Sequence, residues 1–197
     1  MPSDLETVLG LLSHAFLKLE VLYVVGGSIA SSIYGVPRST NDIDILADLK
    51  QHHGSKLVPI LAKDFYVDPD RVHEAIGARE SFSVIHLQTM FKIDIFVKKE
   101  DPWLNEEISR RRFEQIGSEA QSFTIPVSSP EDNILHKLEW YRKGGFVSER
   151  QWSDVLGVIK VQLEHLDYDY LRRWAASMGL SEHLEKAFSQ AKPELDR

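Results

Sequence analysis

Tyr23-Val24-Val25-Gly26-Gly27-Ser28, followed after a thirteen-residue spacer by Asp42-Ile43-Asp44-Ile45-Leu46, is the stretch that decides the fold. The aliphatic run before the glycines reads as a short buried strand that Gly26-Gly27 breaks at once. Two glycines there let the backbone come close to a bulky polar group. Ser28 then opens a short helix, which Gly35 and Pro37 end. A hydroxyl beside the free N–H groups of a helix N-terminus is a good setting for phosphate. The second half alternates acid with aliphatic, the pattern of a strand with two unlike faces. Asp42 and Asp44, two apart, point to one face and can share a metal ion. Their oxygen donors favour Mg²⁺ or Mn²⁺ over zinc.

A third acid, Asp94, interrupts another aliphatic strand, Lys92-Ile93-Asp94-Ile95-Phe96. Paired beside the first strand, it would bring three carboxylates onto one patch. Like charges that close repel unless cations neutralise them, and two Mg²⁺ ions about 3.5–4 Å apart would do so. Asp94 is also a candidate general base toward an acceptor hydroxyl. Lys92, beside Asp94 in the sequence, is read as facing the other side of the strand and as structural. Singly, these features are common: Gly-Gly is a turn in most proteins, and Asp-x-Asp is usually a solvated strand end. Their joint order carries the information.

Outward from this stretch, residues 4–19 place Leu5, Val8, Leu9, Leu12, Ala15, Phe16 and Leu19 at helical spacing, with Ser3 or Asp4 as cap. Helices are expected at 54–63 and 69–79. Ser81–Leu87 and Phe91–Val97 read as a hairpin turned at Gln88-Thr89-Met90. A charged segment follows, then a strand at Ser122–Val127. Ser129-Pro130-Glu131-Asp132 is a helix start, with Pro near the first position and acids in the first turn. Helices are expected at 131–143, 149–163, 167–178 and 181–191. The expected fold class is α/β (α+β): a small mixed sheet flanked by helices over residues 1–127, then a helical C-terminal domain over 128–197.

Composition excludes several classes. The chain has 197 residues, 43% hydrophobic and 27% charged, as in ordinary globular proteins. Without cysteine there is no disulfide, thiolate zinc site, iron–sulfur cluster or cysteine nucleophile. The eight histidines show no ligand spacing, so no zinc site is expected. No P-loop or G-x-S-x-G occurs. The first residues carry acids and no basic region of a signal peptide, and no apolar run approaches the roughly 20 residues of a membrane span. A cytoplasmic protein with no membrane partner is the expectation. A net charge of −7, from 23 basic and 30 acidic residues, leans away from nonspecific nucleic-acid binding.

The segment YVVGGSIASSIYGVPRSTNDIDIL resembles the signature of the polymerase-β-type nucleotidyltransferases, and within them the minimal bacterial branch related to AbiEii-type toxins. That pattern is a Gly-Gly/Ser turn, a spacer, Asp-x-Asp and a third Asp on a neighbouring strand. Here it falls on Gly27 and Ser28, on Asp42 and Asp44, and on Asp94. Arg38-Ser39-Thr40 matches the Arg-x-Thr of the branch, and the likeness extends weakly through Ser129–Asp132 to Lys137-Leu138. It implies a nucleotidyltransferase core in which Asp42, Asp44 and Asp94 are catalytic and hold Mg²⁺ or Mn²⁺. Gly26, Gly27, Ser28, Arg38, Thr40 and Lys137 would bind the NTP. An acceptor hydroxyl takes the NMP, and pyrophosphate leaves.

The acceptor is left open among tRNA, protein and small molecule. Arg38 and Lys137 are candidate phosphate contacts; Tyr141 shares the helix face of Lys137, and Asp154 matches an acid of the branch. Arg110-Arg111-Arg112, the densest basic run, is read as a solvated helix end. A second reading is an antitoxin-like, non-catalytic module with a cognate toxin or antitoxin partner. A metal-dependent phosphodiesterase, a third, would leave the Gly-Gly-Ser turn without a purpose.

Overall fold

The computed structural model describes residues 3–118 and 122–191. Contacts divide the chain into two units. One runs up to Gly26 and resumes over Thr40–Val127; the other takes Gly27–Ser39 and the chain from Ser128 onward.

The first unit is built on a mixed seven-stranded sheet. Its strands are β1 (Tyr23–Val25), β2 (Asp42–Ala47), β3 (Phe65–Tyr66), β4 (Ser81–His86), β5 (Lys92–Val97), β6 (Arg112–Ile116) and β7 (Phe123–Val127), in the order β3-β4-β5-β2-β1-β7-β6. The β2/β5 and β1/β7 pairs are parallel and the others antiparallel. Among the described residues, the helices of this unit are α1 (Asp4–Lys18), α3 (Gln51–Leu61), α4 (Pro69–Ala78) and α5 (Pro102–Arg110). Ser3 caps α1 through a capping box with Glu6. The helix buries Val8, Leu9, Leu12 and Phe16, and the Phe16 and Tyr23 rings lie 4.8 Å apart.

The two faces of the central strands differ as the alternation requires. Ile43, Ile45, Ile93 and Ile95 are buried on one side. The other side changes character along its length. At the far end Leu46 and Val24 pack with Ile108 of α5, and Phe96 and Leu104 join them. At the near end Asp42, Asp44 and Asp94 remain half-buried. The charged segment after β5 thus contains a helix, α5, and an edge strand, β6, that the apolar pattern does not announce. Asp101 caps α5 by accepting from the N–H groups of Trp103 and Leu104, and Pro102 occupies its first turn. That is the same signal that opens the helix after Ser129.

The second unit is helical: α2 (Gly27–Tyr34), α6 (Pro130–Lys143), α7 (Glu149–Gln162), α8 (Tyr168–Met178) and α9 (Ser181–Ala191). Helix α2 packs on α6 and α7. Its end comes so close to α7 that a Cβ on Gly35 would lie 2.8 Å from the Val158 backbone nitrogen. Helix α6 begins in a buried polar network. Ser129 caps it, and the Ser129 and Tyr170 hydroxyls donate to the two Asp132 carboxylate oxygens at 2.6 and 2.5 Å. Glu131 accepts from the Asp167 N–H at 3.0 Å. The Ser129–Asp132 motif therefore anchors α6 to α8. No helix among the described residues is long and apolar enough to cross a membrane.

Candidate active site

In the first unit the acids fall on one patch. Parallel register sets Asp44 directly opposite Asp94, and Asp42 opposite Lys92. Since side chains alternate along a strand, all four project from the same face. Lys92 therefore does not face away from Asp94: a two-residue spacing returns a strand to the same side. Its ammonium pairs with Asp94 Oδ2 at 2.7 Å. The other Asp94 oxygen accepts from the Ser83 hydroxyl of β4 at 2.5 Å. The Asp94 hydrogen bond raises the Lys92 pKa, burial opposes it, and the charges of Asp94, Asp42 and Asp44 add to the rise.

Thr40 locks the entry to β2: its hydroxyl lies 3.2 Å from both the Asp42 N–H and the Asp42 carbonyl. Gly26 extends the β1/β2 ladder, its N–H donating to the Asp44 carbonyl at 2.9 Å. The donor set suits a hard divalent cation such as Mg²⁺ or Mn²⁺ by its oxygen chemistry. As the side chains stand, no three acidic or histidine residues among those described are grouped to hold an ion. Ser83 and Lys92 hold the third carboxylate.

In the second unit Ser28, Arg38, Lys137 and Asp154 form a cluster of their own. Gly27, at φ +57°, starts α2 in the left-handed region where glycine is favoured. The Ser31 hydroxyl donates to its carbonyl at 3.0 Å, and the buried Asn133 amide lies 2.9 Å from that hydroxyl. Arg38 makes a two-pronged contact with Asp154, Nε to Oδ1 at 2.8 Å and Nη2 to Oδ2 at 2.9 Å. The same Nη2 donates to the Ser28 hydroxyl at 2.5 Å. Lys137 Nζ reaches Asp154 Oδ2 at 2.8 Å. The Lys137 and Asp154 side chains are 4% and 5% exposed, and Arg38 is 25% exposed. Burial pushes the Asp154 carboxyl upward, but hydrogen bonds from Arg38 and Lys137 outweigh it and hold the group below the usual carboxylate range. Tyr141, on α6 with Lys137, packs in an aromatic group with Phe146 and Trp152.

Sequence reasoning missed Ser83 and misplaced Lys92. The alternation of β4 and β5 held the signal for both, once the hairpin register is known. Arg110 and Arg111 are half-buried, and only Arg112 of that run is exposed.

No protein-family model matches this chain, and no curated protein matches it. Solved structures do. A nucleotidyltransferase-like antigenic protein from Paracoccidioides brasiliensis aligns over 96% of this chain and 94% of its own, at 17% identity and a TM-score of 0.55. The lincosamide antibiotic adenylyltransferase LnuA, solved with lincomycin bound, aligns over 81% of this chain and 98% of its own, at 15% identity and a TM-score of 0.50. The fold is that of the nucleotidyltransferases. At these identities the likeness is one of architecture: a mixed sheet with flanking helices.

Proposed function

We propose that this protein is a metal-dependent nucleotidyltransferase that moves an NMP from an NTP to a hydroxyl. The observation that carries the proposal is the in-register pairing of Asp44 with Asp94, with Asp42 on the same half-exposed face. Buried isoleucines behind these acids fix the strands that bear them. When bound by Asp42, Asp44 and Asp94, Mg²⁺ supplies charge neutralisation and Lewis acidity for the phosphates. Arg38, steered by Asp154, and Ser28 contribute a cation and a hydroxyl at the N-terminal turn of α2 for phosphate oxygens. Asp94 accepts the proton of the acceptor hydroxyl. That oxygen then forms a bond to the α-phosphorus as the bond to pyrophosphate breaks, and pyrophosphate leaves with its electron pair.

The acceptor belongs to one of three classes: small molecule, protein or RNA. The lincomycin bound to the fold neighbour LnuA supports the first. The net charge of −7 also favours a cationic small molecule over RNA, because complementary charge steers encounter.

The test is label transfer. The protein is incubated with α-labelled ATP, CTP, GTP or UTP and Mg²⁺, in turn with cationic antibiotics, total protein and tRNA. Labelled acceptor and pyrophosphate, both lost in Asp42→Ala and Asp44→Ala, are expected. Full activity in either variant would remove these acids from the reaction.

A further inference from the structure

We propose that Lys92 is the built-in countercharge of the acidic face and sets its affinity for divalent metal, by holding Asp94 out of metal coordination until an ion displaces it. The inference rests on reading Asp42, Asp44 and Asp94 as metal ligands.

Lys92 stands opposite Asp42 across the β2/β5 pair and two residues before Asp94 on the same face. Its ammonium lies 2.7 Å from Asp94 Oδ2 while Ser83 takes Oδ1, so a protein donor occupies each oxygen of the third carboxylate. A metal ion held by Asp42, Asp44 and Asp94 would have to draw on one of those oxygens, beside or in place of its present donor. Ser83 is fixed on β4, whose register sets it beside Asp94. Lys92 carries its charge on a flexible four-carbon stem that is 50% exposed, so it is the donor able to swing away. An ammonium and a divalent cation repel each other and compete for the same oxygen. One of the three negative charges of the resting site is therefore balanced by the chain itself, and ion uptake works against that lysine. In an ordinary exposed ion pair the lysine would have no such effect: its loss would change little, in stability or anywhere else.

Manganese uptake tests this without any reaction. Free Mn²⁺ is followed by its paramagnetic resonance signal as the ion is titrated into wild type, Lys92→Gln, Lys92→Arg and Asp42→Ala, with no nucleotide present. Lys92→Gln is expected to bind Mn²⁺ about tenfold tighter than wild type, since a unit charge beside the ion is removed. Lys92→Arg, which keeps charge and donors, stays close to wild type. The thermal midpoints without metal show that the Lys92 variants are folded. Equal Mn²⁺ affinity in wild type and Lys92→Gln, with binding abolished by Asp42→Ala, overturns the role of Lys92 and leaves the metal reading standing. If Mn²⁺ binds none of the proteins, or binds Asp42→Ala as well as wild type, the metal reading fails and the inference falls with it.

Discussion

Asp154 is the residue on which Arg38, Lys137 and, through Arg38, Ser28 converge. Its folded-state pKa is depressed, so it contributes stability above its unfolded value of about 3.9 and loses that contribution as pH falls through the lower folded value. Asp154→Asn should therefore lower the thermal midpoint at pH 7. The gap to wild type should begin to narrow as the pH drops below about 4, where the unfolded chain takes up its proton first, and close only at lower pH, where the folded carboxyl is protonated too. Thermal scans at the two pH values check this; a constant gap would mean that the carboxylate's charge contributes nothing. Arg38→Ala acts differently. Lys137 still neutralises Asp154, so the fold loses little, while NTP affinity falls about tenfold or more, the scale of a charge-assisted contact. Calorimetry on that variant decides; unchanged affinity would make Arg38 a brace for Asp154 alone.

Strands β2 and β5 position the acids, and their opposite face does the anchoring. Ile45→Ala removes a fully buried side chain behind Asp44 and should cost about 2–5 kcal/mol, read by denaturant unfolding. Gly35→Ala drives a Cβ against the α7 backbone, which cannot rotate away as a side chain could, and should cost about 1–3 kcal/mol. A neutral result in either would show that the packing is looser than the distances imply. The alternation in Asp42–Leu46 made the acid face of β2 legible, because period two leaves little choice of face. The β4/β5 hairpin was legible as a hairpin but not in register. Its connection is one residue longer than Gln88–Met90: the His86 N–H pairs with the Phe91 carbonyl, and Met90 takes φ +60°. A one-residue slip decides whether Ser83 or Val84 stands beside Asp94. Edge strand β6 has largely exposed side chains, so it offers no apolar run to find. Helix α5 was signalled by its Asp-Pro start alone.

At the scale of the whole molecule, the sequence suggests one passage from sheet to helices after Val127, yet the chain also crosses at Gly26/Gly27 and at Ser39/Thr40. Helix α2 belongs with α6 and α7, on which it packs; sequence proximity to β1 gives no sign of this. Pairing of distant residues such as Arg38 with Asp154 is likewise a product of helix packing, invisible to spacing rules. The first unit carries Asp42, Asp44, Asp94 and Lys92, and the second carries Arg38, Lys137 and Asp154. The measurement that tests this account most directly is calorimetric titration of each NTP into the protein with and without Mg²⁺, repeated on Asp42→Ala and Asp44→Ala. The account predicts NTP binding that requires Mg²⁺ and disappears in both variants, which stay folded because a repulsive cluster has been relieved. Absence of NTP binding to wild type, or binding that survives both substitutions, would contradict it.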